Sequence, residues 1–133
     1  MKVRNDFVTN SSSSSFIIAR HKDCTIDEIK TMLNKIRKDI LSLLDDFYGD
    51  VDCDYMHEIK DAYDRDEVTT AINLAIECLA EDLINNRRDS MTLGDWSVSS
   101  KYCSSEDGEL FGSMLYEYGY DMETEHLKIM RGD

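Results

Sequence analysis

The sequence predicts an α+β domain, a small antiparallel or mixed sheet of three to four strands covered by an antiparallel helical hairpin, in the order β-β-α-α-β-α-β. Three observations carry that expectation. Ile26, Ile29, Leu33, Ile36, Ile40, Leu43 and Phe47 recur at alternating steps of three and four, the seam of one long helix face. Val68, Ile72, Ala75, Leu79 and Leu83 repeat nearly the same spacing and supply a second helix. Short runs rich in β-branched and aromatic residues lie before, between and after helical segments, the distribution of an α+β fold.

Taken in order, Lys2–Val8 reads as a short first strand and Thr9–Ser15 as a polar loop. Phe16–Arg20 is a buried strand, because Ile17 and Ile18 are β-branched and the run is short. Thr25-Ile26-Asp27-Glu28 is a capping box, in which the threonine hydroxyl accepts from the Glu28 amide and the Glu28 carboxylate reaches back. The helix it opens runs through the 26–47 seam, about 30 Å at 1.5 Å per residue. A seam of that length needs an equally long partner. The 68–83 helix is the first choice, packed as a hairpin. The rival is a second copy of the chain, which would make a homodimer through the 26–47 seam. Tyr55, Met56, Ile59 and Tyr63 suggest a short helix between the two. Trp96–Ser104 alternates as a strand with Trp96, Val98 and Tyr102 on one face. Leu110, Phe111, Met114, Leu115 and Tyr118 form another helical face, with Gly119 as its stop, and His126–Arg131 is the last strand.

Charge narrows the function classes. The 133 residues, read as a single domain over 1–133, carry a net charge of −13. The imbalance is concentrated: residues 1–44 hold eight Lys/Arg against five Asp/Glu, whereas residues 45–82 hold two against thirteen. Such a surface repels a phosphate backbone, so direct nucleic-acid binding is not expected. An anionic membrane is disfavoured for the same reason. No apolar run approaches the 18 residues of a membrane span, and the first twenty residues have no continuous apolar stretch of the secretory kind. Cys24, Cys53, Cys78 and Cys103 are widely spaced and contain no C-x-x-C, so they are expected as reduced thiols in a cytoplasmic protein.

The acidic belt is the candidate site. It comprises Asp45, Asp46, Asp50, Asp52, Asp54, Glu58, Asp61, Asp64, Asp66 and Glu67, with only Lys60 and Arg65 interspersed. Carboxylates spaced along a helix and loop can bond Arg and Lys side chains much as a phosphate row does. The expected partner is therefore a basic protein.

Other constellations fall short. Asp50, Asp52 and Asp54 match the first three liganding positions of an EF-hand loop, but Tyr55 stands where the turn needs Gly and Asp61 where a bidentate Glu is needed. His57-Glu58-Ile59-Lys60-Asp61 lacks the second histidine of a zinc-protease helix, and His21-Lys22-Asp23-Cys24 is half a zinc site. No metal, cofactor or catalytic residue is expected. The Ser11–Ser15 loop carries the alternative reading, a nest of amides holding phosphate or a nucleotide, though it lacks the glycines and lysine of a phosphate loop.

The opening Met1-Lys2-Val3-Arg4-Asn5-Asp6-Phe7-Val8-Thr9-Asn10-Ser11, continued through Ser15-Phe16-Ile17, resembles the M-K-x-R-x-x-F-V-[ST]-N-S-S-S-S-S-F segment heading many short proteins of Gram-positive gut bacteria and their phages. The likeness covers about 18 residues and carries no activity. It implies a phage or mobile-element setting. By size, charge and setting the chain is similar to inhibitors of host defence, anti-CRISPR proteins among them. The expectation is a non-enzymatic binding protein that blocks a basic nucleic-acid-binding host protein such as a CRISPR nuclease.

Overall fold

The computed structural model describes residues 13–48, 56–87, 90–104, 109–119 and 122–131. The elements are β1 (Ser13–His21), α1 (Ile26–Asn34), α2 (Arg37–Tyr48), α3 (His57–Asp64), α4 (Val68–Asn85), β2 (Met91–Leu93), β3 (Trp96–Ser104), α5 (Leu110–Tyr118), β4 (Glu123–Thr124) and β5 (Leu127–Arg131). The fold is α+β, as expected, but the sheet has five strands in the order β2-β3-β1-β5-β4, with antiparallel pairing throughout. The expected strand over Lys2–Val8 lies outside the described residues. The additional strands β2 and β4 are three and two residues long. Strands so short show no alternation, which is why the sequence hides them.

β1 is the central strand, paired with β3 on one side and β5 on the other. Phe16, Ile18 and Arg20 share its helix-facing side and are all buried. Strand β1 begins at Ser13, so Ser13–Ser15 belong to the sheet rather than to a polar loop. Ser14 is buried and its hydroxyl is bonded by Arg131. Serines committed to a ladder cannot offer a free nest of amides, and this part of the loop expectation is corrected. Ser11 and Ser12 lie outside the described residues.

On β3 the expected alternation is present. Trp96, Val98 and Tyr102 do share a face, and it is the one turned away from the helices. Ser99 and Cys103 on the other side are buried. The polar strand face packs inward because it meets the polar end of α4, described below. Met91, Leu93, Tyr102 and Met130 are exposed on that outer face, where the register places them with Ile17 and Val98.

The long first helix is divided. Helix α1 ends at Asn34 and α2 begins at Arg37. At the break the Lys35 and Ile36 amides turn back to the Met32 and Leu33 carbonyls at 3.1 and 3.0 Å, a tightened turn. A strict 3.5-residue seam drifts off one side of a straight helix by about 20° per heptad. A break re-aims the second half, so Ile29, Leu33, Ile40 and Leu43 all reach the core. The join is held by Arg37, whose guanidinium donates to Asn34 Oδ1 at 2.8 Å and to Asn73 Oδ1 of α4 at 3.0 Å.

Helix α4 is the hub. Ala71, Ile72, Ala75, Ile76, Leu79, Ala80 and Leu83 are buried, and α4 touches each of the other four helices. Helix α3 ends in a Schellman turn: the Glu67 amide bonds the Ala62 carbonyl at 2.9 Å, the Asp66 amide bonds Tyr63 at 3.0 Å, and Asp66 takes the left-handed conformation (φ 65°). Gly119 does follow α5, but with φ −57°. Its value is close approach: a Cβ there would lie 3.1 Å from the Phe16 ring.

Candidate functional site

The described part of the acidic belt is exposed throughout: Asp45 and Asp46 at the end of α2, Glu58, Asp61 and Asp64 on α3, and Asp66 and Glu67 in the turn into α4. Asp50, Asp52 and Asp54 lie outside the described residues. Two of the seven carboxylates are ion-paired, Asp64 with Lys60 at 2.6 Å and Glu67 with Arg65 at 3.1 Å. Asp45 accepts from the Tyr63 hydroxyl at 2.7 Å, which ties the end of α2 to α3. Asp46 faces elsewhere: together with burial, Asp39 and Glu117 it pushes the Tyr118 phenol above its ordinary range. The described carboxylates are thus spread over α2, α3 and the turn into α4.

One member of the belt, Glu58, lines a cleft of about 610 Å³ between α3 and α4. Met56, Ile59, Leu74 and Cys78 contribute apolar lining, and Glu58, Glu77 and Glu81 contribute charge. Glu77 is 3.2 Å from Lys30; Glu58 and Glu81 have no ion-pair partner among the described residues. Glu77 and Glu81 were not among the sequence candidates. They sit on a helix whose other side is the core, and i, i+4 spacing on the outer side was the available signal. Cys78 does not add a nucleophile, because burial and the neighbouring Asp82 and Glu81 push its thiol up to about 11.

A second polar cluster lies at the end of the central strand. The capping box is half realised: the Glu28 amide bonds Thr25 Oγ1 at 3.2 Å, but the Glu28 carboxylate turns instead to the β4–β5 hairpin. There it takes three donors, the Thr124 hydroxyl, the His126 amide at 2.9 Å and His126 Nδ1 at 2.7 Å. Three donors outbid the single Thr25 amide. Burial alone would raise the Glu28 carboxyl, and the bonds from Thr124 and His126 overcome it and hold the group below its ordinary range. The bond to Glu28 in turn raises His126, against partial burial.

The signs define a pH window. A lowered Glu28 contributes stability that is complete above its ordinary 4.5 and lost as pH falls through its folded value. A raised His126 contributes stability that is complete below its ordinary 6.5 and lost as pH rises through its folded value. The stability difference between the wild type and His126→Gln, measured by urea unfolding with chelator present, is expected to peak between those two values and to shrink on either side. A flat difference from pH 4 to 9 would mean that the pair is not ionised.

His21 stands beside His126, with ring centroids 5.2 Å apart, and Trp96 meets it edge-on at 5.2 Å. No family model, no curated protein and no solved structure matches this chain. Among the described residues no helix is long and apolar enough to cross a membrane.

Proposed function

We propose that the protein is a non-enzymatic binding protein that uses its acidic helical surface to occupy a basic, nucleic-acid-handling site on a protein partner. The setting we propose is that of a phage or mobile element, with a host-defence nuclease of the CRISPR type as the partner class. The cleft between α3 and α4 carries this reading. An apolar floor with carboxylates at its rim suits an arginine or lysine side chain, whose stem lies on Ile59 and Leu74 while its head reaches Glu58 and Glu81. The remaining exposed carboxylates of the belt steer a cationic partner towards it from a distance.

A direct measurement is the affinity for a purified CRISPR nuclease, by biolayer interferometry across a salt series. The double change Glu58→Lys with Glu81→Lys is expected to weaken the complex by about tenfold or more and to flatten its salt dependence. Both residues are exposed, so the melting temperature should hold. A complex indifferent to this reversal and to salt would remove the electrostatic basis of the reading, and so would failure to bind any basic nucleic-acid-binding protein.

A further inference from the structure

We propose that His21, Asp23 and His126 bind a divalent transition-metal ion of the zinc class, with Glu28 as the residue that positions the His126 ring. The three ligands come from separate places: the end of β1, the turn that follows it, and the β4–β5 hairpin. One donor atom from each lies within 4.8 Å of the others. His21 Nδ1 and Asp23 Oδ2 are already 3.6 Å apart. Two ligands of one tetrahedral zinc ion, each about 2.1 Å from it, sit about 3.4 Å from each other. The spacing of that pair already suits one ion, and His126 would close on it from the neighbouring hairpin.

The hydrogen bonding selects the donor atoms. His21 Nδ1 accepts from the Asp23 amide at 3.1 Å, so in the neutral ring its proton is on Nε2, and the ion would displace that amide from the single Nδ1 lone pair. Asp95 Oδ2 lies 3.9 Å from that Nε2. His126 donates Nδ1–H to Glu28 at 2.7 Å, which leaves Nε2 as the nitrogen it can offer. His126 is thus backed by a carboxylate on the nitrogen not given to the ion, the outer arrangement that orients a histidine ligand and raises its basicity, whereas Asp95 stands beyond hydrogen-bond distance of His21. Glu28 is itself fixed by Thr124 and the His126 amide, so its role does not depend on the ion being present.

The donor set identifies the class of ion. Two imidazole nitrogens and one carboxylate oxygen suit zinc and its first-row neighbours, whereas magnesium and calcium take all-oxygen shells. The histidine side chains are 20% and 26% exposed and Asp23 is 64% exposed. Three protein ligands at a surface leave at least one position to water or to a side chain from a partner. Such an ion would clamp the β4–β5 hairpin to the end of the central strand.

The test is a zinc titration of the chelator-stripped full chain at neutral pH by isothermal calorimetry, with histidine ring signals followed by NMR. One equivalent should bind and shift His21 and His126 but not His57. Asp23→Asn, which changes an exposed side chain, should weaken binding by tenfold or more and leave the fold intact. Glu28→Gln should weaken it by about 10–100-fold, and the double change His21→Gln with His126→Gln should abolish it. His57→Gln should have no effect. Absence of binding would overturn the proposal, and so would one equivalent retained in the double variant, which would place the ion on thiols or on the acidic surface.

Discussion

Replacing Arg20 with alanine is expected to lower the unfolding free energy by about 3 kcal/mol, a large share of the 5–15 kcal/mol typical of a domain. Arg20 is 4% exposed in the central strand. Its guanidinium donates to the Leu83 carbonyl at 2.9 Å, to the Asn86 carbonyl, and to Ser99 Oγ at 3.3 Å. The last turn of α4 contains no basic residue of its own. Arg20 reaches across from the sheet to satisfy the carbonyls and the negative end of the helix dipole. Asn86 completes the network by donating to Ser99 Oγ at 2.9 Å and to the Ser100 carbonyl at 3.0 Å. This is why β3 turns serines inward.

Burial and the nearby Arg87 charge lower Arg20 to about 10, so it is still a cation at neutral pH. Alanine would strip the Leu83 carbonyl of its guanidinium donor and leave a void, while Arg87 still donates to the Asn86 carbonyl at 3.0 Å and Asn86 to Ser99 Oγ. Arg20→Met fills the space but leaves the Leu83 carbonyl without its guanidinium donor, and about 2 kcal/mol is expected. Arg20→Lys keeps the charge on a single point that cannot replace the planar fork, and about 1–2 kcal/mol is expected. Urea unfolding of the three variants at neutral pH reads this order directly. An alanine variant within about 0.5 kcal/mol of wild type would show that water serves those carbonyls equally well.

Arg20 also marks the limit of what the sequence discloses. A single arginine ending Phe16–Arg20 looks like a strand leaving the core, and its partners are backbone atoms 63 and 66 residues away. No side-chain pattern encodes such a contact. Glu28 is similar: its place three residues after Thr25 predicts a local cap, and only the fold offers it Thr124 and His126. Local periodicity, by contrast, was legible for most elements, though it hid the break between α1 and α2. The spacing placed α3, α4, α5 and the long strands, because burial on one side of a helix or strand leaves its imprint in every turn. The belt was legible as composition, since unpaired carboxylates stay in water. The cleft beside Glu58 was not, because Glu77 and Glu81 belong to a different helix.

The 26–47 seam permits the other large prediction. Leu33→Ala is expected to cost about 3 kcal/mol and to lower the melting temperature by about 10 °C, without making either melt depend on protein concentration. Leu33 has no exposed surface, and it lies immediately before the break between α1 and α2. Ile29, Leu33, Ile40 and Leu43 pack in the same core as Ile72, Ala75 and Leu79 of α4, so the seam is filled from within the chain. A homodimer built on that seam would have to expose these side chains from the chain's own core first. It would then melt at higher temperature as concentration rises, by mass action. Calorimetric scans of wild type and Leu33→Ala over a hundredfold concentration range separate the two. Coincident melting temperatures at every concentration, with the alanine variant uniformly lower, place the energy of the seam inside one chain. A rise with concentration that Leu33→Ala abolishes would place it between two.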